Sequence, residues 1–444
     1  MAQPPTAPER PIDHALTLVA SSDPEGALRY ALPLVENEPK DAASSFVAGR
    51  ALAELGHAVL AGAALSLAAR RAIAASNLPL AVACAAALDA AGEDNALLLS
   101  EISNAFGRGS NLLGERRAAP PELPGGASDF EPLPSELTGT ELVERATTVI
   151  EGVAVNSRIG PGLRSLSPQP LFSSLAPDDL CEFISIFDVR VFPAGARVVE
   201  EGTVGSEAFV LARGELDVEK QSEREDAPPL HLARLGAGAL VGEMALLSRS
   251  PRAATVTAVR PSIVLVGSKE ALDQAAQRSP LVAQRFAEHC KRRMLDNLVR
   301  TSPLFRAATP AERPGLVERF GIRTFEPGEK LATQGQPSEG LFLLASGEVS
   351  IVVRDGEDRT LVTKLGVGDV VGEVALVLRR PAIADAVAQH PTVTLFLPGE
   401  RFLDLVQAHP KVFADLYVIA VKRDLEIASI AGEEAAEGED FVLV

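Results

Sequence analysis

Residues 208–220 read AFVLARGELDVEK and residues 341–354 read LFLLASGEVSIVVR. Each alternates apolar and polar side chains on either side of a Gly-Glu pair. That is the pattern of two antiparallel strands joined at a tight turn, with one face buried. The second segment is the first displaced by 133 residues, and the displacement holds outward. Pro170-Leu171-Phe172 recurs as Pro303-Leu304-Phe305, Phe192-Pro193-Ala194-Gly195 as Phe325-Glu326-Pro327-Gly328, and Gly202 as Gly335. Beyond the hairpin the displacement falls to 130: Gly242-Glu243 pairs with Gly372-Glu373, Pro251 with Pro381, and Pro261 with Pro391. The three extra residues of the first copy lie in the polar loop KQSEREDAPP (220–229), where a change of length costs little. The chain therefore carries a tandem repeat of strand-rich modules. Glycines recur between their strands, as a small antiparallel barrel of jelly-roll type requires. Helix-like sequence follows each, for example KEALDQAAQRSPLVAQRFAEHCKRRML at 269–295.

Upstream, residues 12–106 alternate Ala/Leu-rich segments with punctuation near Asp23-Pro24, Glu38-Pro39, Gly56, Leu78-Pro79 and Gly92-Glu93. This predicts an all-α domain of short antiparallel helices, either a tetratricopeptide-like array or an ordinary bundle, suited to docking or oligomerisation. Residues 107–168 change character. The run from 107 to 136 is rich in Pro and Gly and lacks sustained periodicity, so it reads as a flexible linker, followed by a short helix around Thr138 to Glu151. The expected organisation is a helical docking domain at 12–106, a linker at 107–168, repeat modules at 169–300 and 301–430, and an acidic, disordered tail at 431–444.

Composition removes several classes of function. The 444 residues carry a formal charge of −18 and no strongly basic run, which argues against nucleic acid as a partner. A small anion is another matter, because a few well-placed donors can capture it. Cys84, Cys181 and Cys290 lie far apart and are odd in number, so neither a disulfide framework nor a metal site is expected, and a reducing, cytoplasmic setting is. The first residues lack a secretory pattern. The apolar stretches 51–69 and 72–91 are interrupted by Glu54, His57, Asn77, Pro79 and Asp89, and read as packed helices rather than membrane spans. The six histidines show no metal spacing, and no nucleophile triad, Walker loop or kinase Gly-rich loop is present, so no enzyme and no cofactor is expected.

The chemistry concentrates in LGAGALVGEMALLSRSPRAATV, residues 235–256. Gly242 permits a tight entry into a helical turn on Glu243-Met244-Ala245-Leu246, whose free N–H groups favour an anion. Arg252 supplies a planar cationic fork for a phosphate, and the small Ala253 and Ala254 let backbone approach a ligand. Glu243 would repel a phosphate but suits a sugar hydroxyl, so the combination points to a sugar joined to a phosphate. A plain Glu243–Arg252 ion pair is the bland alternative.

These residues resemble the cyclic-nucleotide-binding family and its phosphate-binding cassette. The likeness is to the regulatory subunits of cyclic-AMP-dependent protein kinase, over both repeats. The resemblance implies that Arg252 binds the cyclic phosphate and Glu243 the ribose 2′-hydroxyl, with backbone at Gly242, Ala245 and Ala253 completing a cradle that Met244 and Ala254 flank. Alanine at 253 leans toward cAMP over cGMP. It also implies a following helix, roughly Lys269 to Arg300, that closes over the bound ligand.

The second cassette keeps Gly372-Glu373-Val374-Ala375-Leu376, but the offset of 130 puts Ala382 where Arg252 stands and Asp385 where Thr255 stands. Asp385 is expected to add negative charge near the would-be phosphate, and Arg379 or Arg380 to offer partial rescue at most. The whole reads as a non-enzymatic cyclic-nucleotide sensor with one working and one degenerate repeat, acting on a protein partner through the N-terminal helices. The alternative is a ligand-free scaffold in which every domain serves protein contacts.

Overall fold

The computed structural model describes residues 10–115, 130–156, 166–222, 228–243, 251–306, 308–309, 312–356 and 358–439. It divides into two compact units: residues 1–201, 206–246 and 254–289, with the N-terminal helices and most of the first repeat, and residues 202–205, 247–253 and 290–444, with the second repeat and the segments that carry Gly205 and Arg252.

In the first unit, helices α1 (Pro11–Ala20), α2 (Pro24–Asn37), α3 (Ala42–Glu54), α4 (Ala58–Ala74), α5 (Leu78–Ala90) and α6 (Ala96–Phe106) start where the punctuation placed them. Side-chain caps start three of them. The Asp23 carboxylate accepts the Gly26 N–H at 2.9 Å, Asp41 those of Ala43 and Ser44, and Asn77 that of Leu80. Left-handed residues at Ser22, Gly56, Ser76 and Gly92 turn the chain between helices. Each helix packs on the next, and α1 on α3, α3 on α5, and α4 on α6, which is the neighbour order of an array rather than of a closed bundle. Close crossing depends on small residues: a methyl group on Gly49 would come within 2.6 Å of Leu65. Buried Arg71 donates to the carbonyls of Asp41 and Val35 and to Ser45 Oγ, tying α4 to the α2–α3 connection.

The stretch 107–168, expected to be a linker, is tied down at several places. The N–H of Arg108 donates to the Leu175 carbonyl, that of Leu133 to Arg29, that of Leu166 to Leu112, and that of Ser167 to Ser76 Oγ. Its helix, α7 (Gly139–Asn156), runs beyond the expected end at Glu151 and packs on α2 and α4. The Pro/Gly content concealed the few apolar residues that do the anchoring, such as Phe130, whose ring stacks on Tyr30 at 5.7 Å.

The first repeat comprises β1 (Phe187–Phe192), β2 (Arg197–Val199), β3 (Glu207–Arg213), β4 (Leu216–Lys220), β5 (Leu230–Leu235), β6 (Leu240–Val241), β7 (Thr255–Ala258) and β8 (Ser262–Ser268). They form two antiparallel four-stranded sheets, β1-β8-β3-β6 and β2-β7-β4-β5. The second repeat repeats that order with β9 (Gly321–Phe325), β10 (Lys330–Ala332), β11 (Gly340–Ser346), β12 (Val349–Asp355), β13 (Asp358–Leu365), β14 (Val370–Val371), β15 (Asp385–Ala388) and β16 (Thr392–Pro398). The sheets face each other as a jelly roll rather than closing into one continuous barrel, around cores of Phe209, Leu211, Val256 and Val264 in one and Phe342, Leu344, Ile351 and Phe396 in the other. The Gly-Glu turn needs its glycine in both copies. Gly214 and Gly347 have φ of +116° and +93°, and a Cβ would strike Ser262 or Thr392.

Helices flank the sheets: α8 (Pro177–Ile184), α9 (Lys269–Arg278), α10 (Pro280–Thr301), α11 (Pro303–Arg306), α12 (Arg313–Val317), α13 (Glu373–Leu378), α14 (Gly399–Ala408) and α15 (Pro410–Glu439). The single helix expected from Lys269 to Arg300 is two, broken at Ser279-Pro280, because proline has no N–H to continue the ladder. His409-Pro410 makes the same break 130 residues later. The acidic end expected to lack order continues α15 as far as Glu439, in keeping with its Ala and Glu content.

The helical array and the first repeat form one body. Helix α5 packs on β1, β3 and β8, and α1 on β1. Asp13, buried, pairs with buried Arg213 at 2.9 Å and with Arg260 at 3.5 Å, and Arg260 also meets Glu215. Asn77, besides capping α5, donates to the Ala212 carbonyl at 3.0 Å.

Candidate functional site

In the first cassette β6 is a two-residue strand held on β3, with Val241 opposite Phe209. It delivers the chain to Gly242, whose φ of +77° makes the sharp entry that a side chain would resist. Glu243 follows, buried, at the start of a helical turn. Met244 and Ala245 lie outside the described residues.

Arg252 is fixed through its backbone. Its N–H donates to the Thr203 carbonyl at 2.9 Å, and its carbonyl accepts the Gly202 N–H at 2.9 Å. The guanidinium lies close against Gly205: a Cβ there would stand 2.5 Å from Nη2 and 3.1 Å from Cζ. Arg252 is 8% exposed, so a long cation is buried beside bare backbone. Ala253 is exposed and Ala254 half-buried, and the chain then enters β7, where Thr255 Oγ1 accepts the Glu201 N–H at 3.1 Å. Gly205 is a site residue that reading the cassette alone missed. Its signal is faint, one glycine in a loop 47 residues upstream of the arginine it accommodates.

The second cassette reproduces the backbone and changes the chemistry. Gly335 donates to the Ala382 carbonyl at 2.7 Å and Ala382 to that of Gln336 at 2.9 Å, the same pair of bonds that hold Arg252. Position 382 is thus the structural counterpart of 252, with the cation removed. The counterpart of Gly205 is Ser338, whose hydroxyl donates to the Gly340 carbonyl at 2.8 Å. The arginine and the glycine it needs are replaced together.

Gly372, with φ of +91°, opens α13, which carries Glu373, Val374 and Ala375, all buried. Glu373 is 1% exposed and forms an ion pair with Arg423 of α15, which also donates to the Val370 carbonyl at 2.6 Å. Burial pushes the Glu373 carboxyl above its usual range, and the Arg423 charge opposes that shift. Four residues further along α15, Ile427 inserts into the core of the second repeat. The carboxylate matching Glu243 is therefore engaged by the chain's own helix.

Two expectations for this cassette are corrected. Asp385 does not present loose negative charge to a phosphate position. Its carboxylate binds Lys330 Nζ and Arg354 Nε, both at 2.7 Å, and the Gln334 N–H at 2.8 Å. Burial works against the anion, but the Lys330 and Gln334 hydrogen bonds and the Lys330 and Arg354 charges hold its carboxyl below the usual aspartate range. It takes over the backbone contact that Thr255 makes in the first copy. Arg380 is no spare cation, because it is paired with Asp424 of α15. Arg379 closes α13 in the left-handed conformation, φ +52°.

Among the described residues no group of three His, Cys, Asp or Glu is placed to hold a metal ion, and no helix is long and apolar enough to cross a membrane.

Residues 189–279 and 322–409 match the cyclic nucleotide-binding domain family, so the chain carries two such domains in tandem. A cAMP-dependent protein kinase regulatory subunit from Colletotrichum orbiculare is 30% identical over 224 residues, which cover 49% of this chain. The chain spans 55% of the length of that curated relative. Among solved structures, the regulatory domain of Toxoplasma gondii PKA, crystallised with cAMP, is 24% identical with a TM-score of 0.28, over 57% of this chain and 92% of that one. The regulatory subunit of a cAMP-independent protein kinase A from Trypanosoma brucei is 23% identical with a TM-score of 0.26, over 55% and 85% respectively.

Proposed function

We propose that the chain is a non-enzymatic regulatory protein whose first cyclic nucleotide-binding domain takes cAMP in preference to cGMP and whose second is retained for structure. The observation that carries this reading is Arg252, clamped by two backbone bonds with its guanidinium buried on Gly205, while the second copy keeps the clamp and loses both residues. Arg252 supplies the charge-assisted fork for the cyclic phosphate, Glu243 accepts from the ribose 2′-hydroxyl, and backbone at Gly242, Ala245 and Ala253 lines the cradle beside Met244 and Ala254. In the second cassette Ala382 offers no charge, and Arg423 already holds Glu373.

Nucleotide capture acts on helices α9 and α10 directly after the first domain, and the bound state is passed to a protein partner through the N-terminal helices. Those helices share one body with the first domain through Asp13, Arg213 and Asn77, which supports a direct route from nucleotide to partner.

Calorimetry on the full chain with cAMP and cGMP tests the assignment. The expected result is one site per chain, tighter for cAMP, and its loss in Arg252→Glu, a drop of at least 10–100-fold from one charge-assisted contact worth about 1.5–3 kcal/mol. No heat with either nucleotide would leave only the scaffold reading. Equal binding by Arg252→Glu would move the site elsewhere.

A further inference from the structure

Helix α15 packs along α13 and fastens the second cassette at both of its ends. Arg423 pairs with Glu373 in the first turn of α13 and donates to the Val370 carbonyl of β14, and Asp424 pairs with Arg380 just past the last turn. One turn further along α15, Ile427 is 6% exposed and belongs to a core cluster with Phe342, Val371, Ala384 and Phe396. Val371 directly precedes Gly372, and Ala384 lies two residues after Ala382, so Ile427 enters the roll at the cassette itself. The 130-residue offset shows which of these residues are peculiar to the second repeat. Arg423 has a counterpart in Arg293, but Asp424 stands where the first repeat has Met294, Arg380 where it has Ser250, and Ile427 where it has Asn297. Among the described residues, the core cluster of the first repeat is drawn from its strands. The added ion pair and the apolar insertion thus belong to the same copy that lacks the arginine at 382 and the glycine at 338.

We propose that α15 is an internal ligand of the second cyclic nucleotide-binding domain, with Arg423 on the carboxylate that would meet a sugar and Ile427 inside the roll, and that it holds this domain closed without nucleotide. Glu373 is 1% exposed and neutralised by Arg423, so a sugar hydroxyl would have to displace a buried ion pair. Lifting Ile427 out would return apolar surface to water. Loss of the arginine at 382 is then only half of the change, and restoring it does not restore binding while α15 stays seated. A nucleotide signal enters the chain through the first domain alone. The assignment rests on the reading of the two cassettes given above and adds what fills the second.

The test compares two variants of the full chain by calorimetry with cAMP. One carries Ser338→Gly and Ala382→Arg, which return the cassette to the residues of the first copy. The other adds Arg380→Ser, Asp424→Met and Ile427→Asn, which do the same for the seat of α15. The first variant should show one site per chain, as in the wild type, and the second variant two, with affinities within about tenfold of each other. Two sites in the first variant, or one site in a folded second variant, overturns the proposal. If the second variant does not fold, or if no chain binds cAMP (the outcome that defeats the nucleotide reading itself), hydrogen exchange without nucleotide decides. In the wild type the amides of 373–378 and 416–428 should exchange as slowly as those of β11 and β16. Asp424→Met alone should speed both segments by about tenfold or more and leave the strands slow. Fast exchange of 416–428 in the wild type, or no effect of Asp424→Met on 373–378, overturns the proposal.

Discussion

Gly205 shows how a single absent methyl group can set a binding site. Its neighbour is the far end of a flexible side chain, so a Cβ there displaces the Arg252 guanidinium rather than the backbone. Gly205→Ala is therefore expected to leave the melting temperature of the full chain almost unchanged while cAMP affinity falls about tenfold, about 1.4 kcal/mol; a matching loss of stability would show instead a packing role. Asp385 makes the opposite point, a charge that serves the fold. Its carboxyl is held below the ordinary aspartate value, so the stability it contributes is present above about pH 4 and lost as pH falls through the lower folded value. Asp385→Asn should destabilise the second unit by about 1–2 kcal/mol at pH 7, a figure reduced because Lys330 and Arg354 are more than a third exposed. Denaturant melts repeated at falling pH should show the gap between the two proteins closing below about pH 4; a gap that persists there would mean the carboxylate is not the source.

Among elements, α15 does most to distinguish the second repeat. Buried Glu373 has Arg423 as its compensating charge, and removing one partner of a buried pair is costly even where the pair itself is of small net value. Arg423→Ala should cost about 3–5 kcal/mol in the second unit, and adding Glu373→Gln should recover part of it, read as a double-mutant cycle by thermal melting. Additive losses would show that the two do not act together. Ile427→Ala removes a core side chain and should cost about 2–5 kcal/mol by itself. The break at Ser279-Pro280 was missed in a reading that ran one helix from Lys269 to Arg300, although a proline that lacks an N–H is a local signal for it, one that Pro33 inside α2 shows to be less than absolute. The seating of α15 was not readable at all, because one arginine in thirty helical residues gives no sign of which carboxylate it will meet.

For the molecule as a whole, the first unit joins what the chain order separates. Asp13 and Arg213 lie 200 positions apart and are both buried, and Asn77 reaches the Ala212 carbonyl beside them. Asp13→Ala leaves Arg213 buried without its carboxylate, so the first unit should lose about 3–5 kcal/mol. In calorimetry of the full chain the helices and the first domain should melt as one transition in the wild type, and earlier in the variant. A separate melt of the helical array in the wild type would break that account.

The sequence by itself determined the tandem modules, the starts of the N-terminal helices and the inequality of the two cassettes. Those follow from local rules: alternation, capping, proline breaks, and an offset that sets Ala382 opposite Arg252. Tertiary structure alone decided that Arg252 rests on Gly205, that Asp385 is neutralised by Lys330 and Arg354, that Glu373 belongs to Arg423, and that α7 lies on α2 and α4. The physical reason is common to all four. Each joins groups from distant parts of the chain, and a lone charge or small residue acquires its role only from the neighbour that folding brings to it.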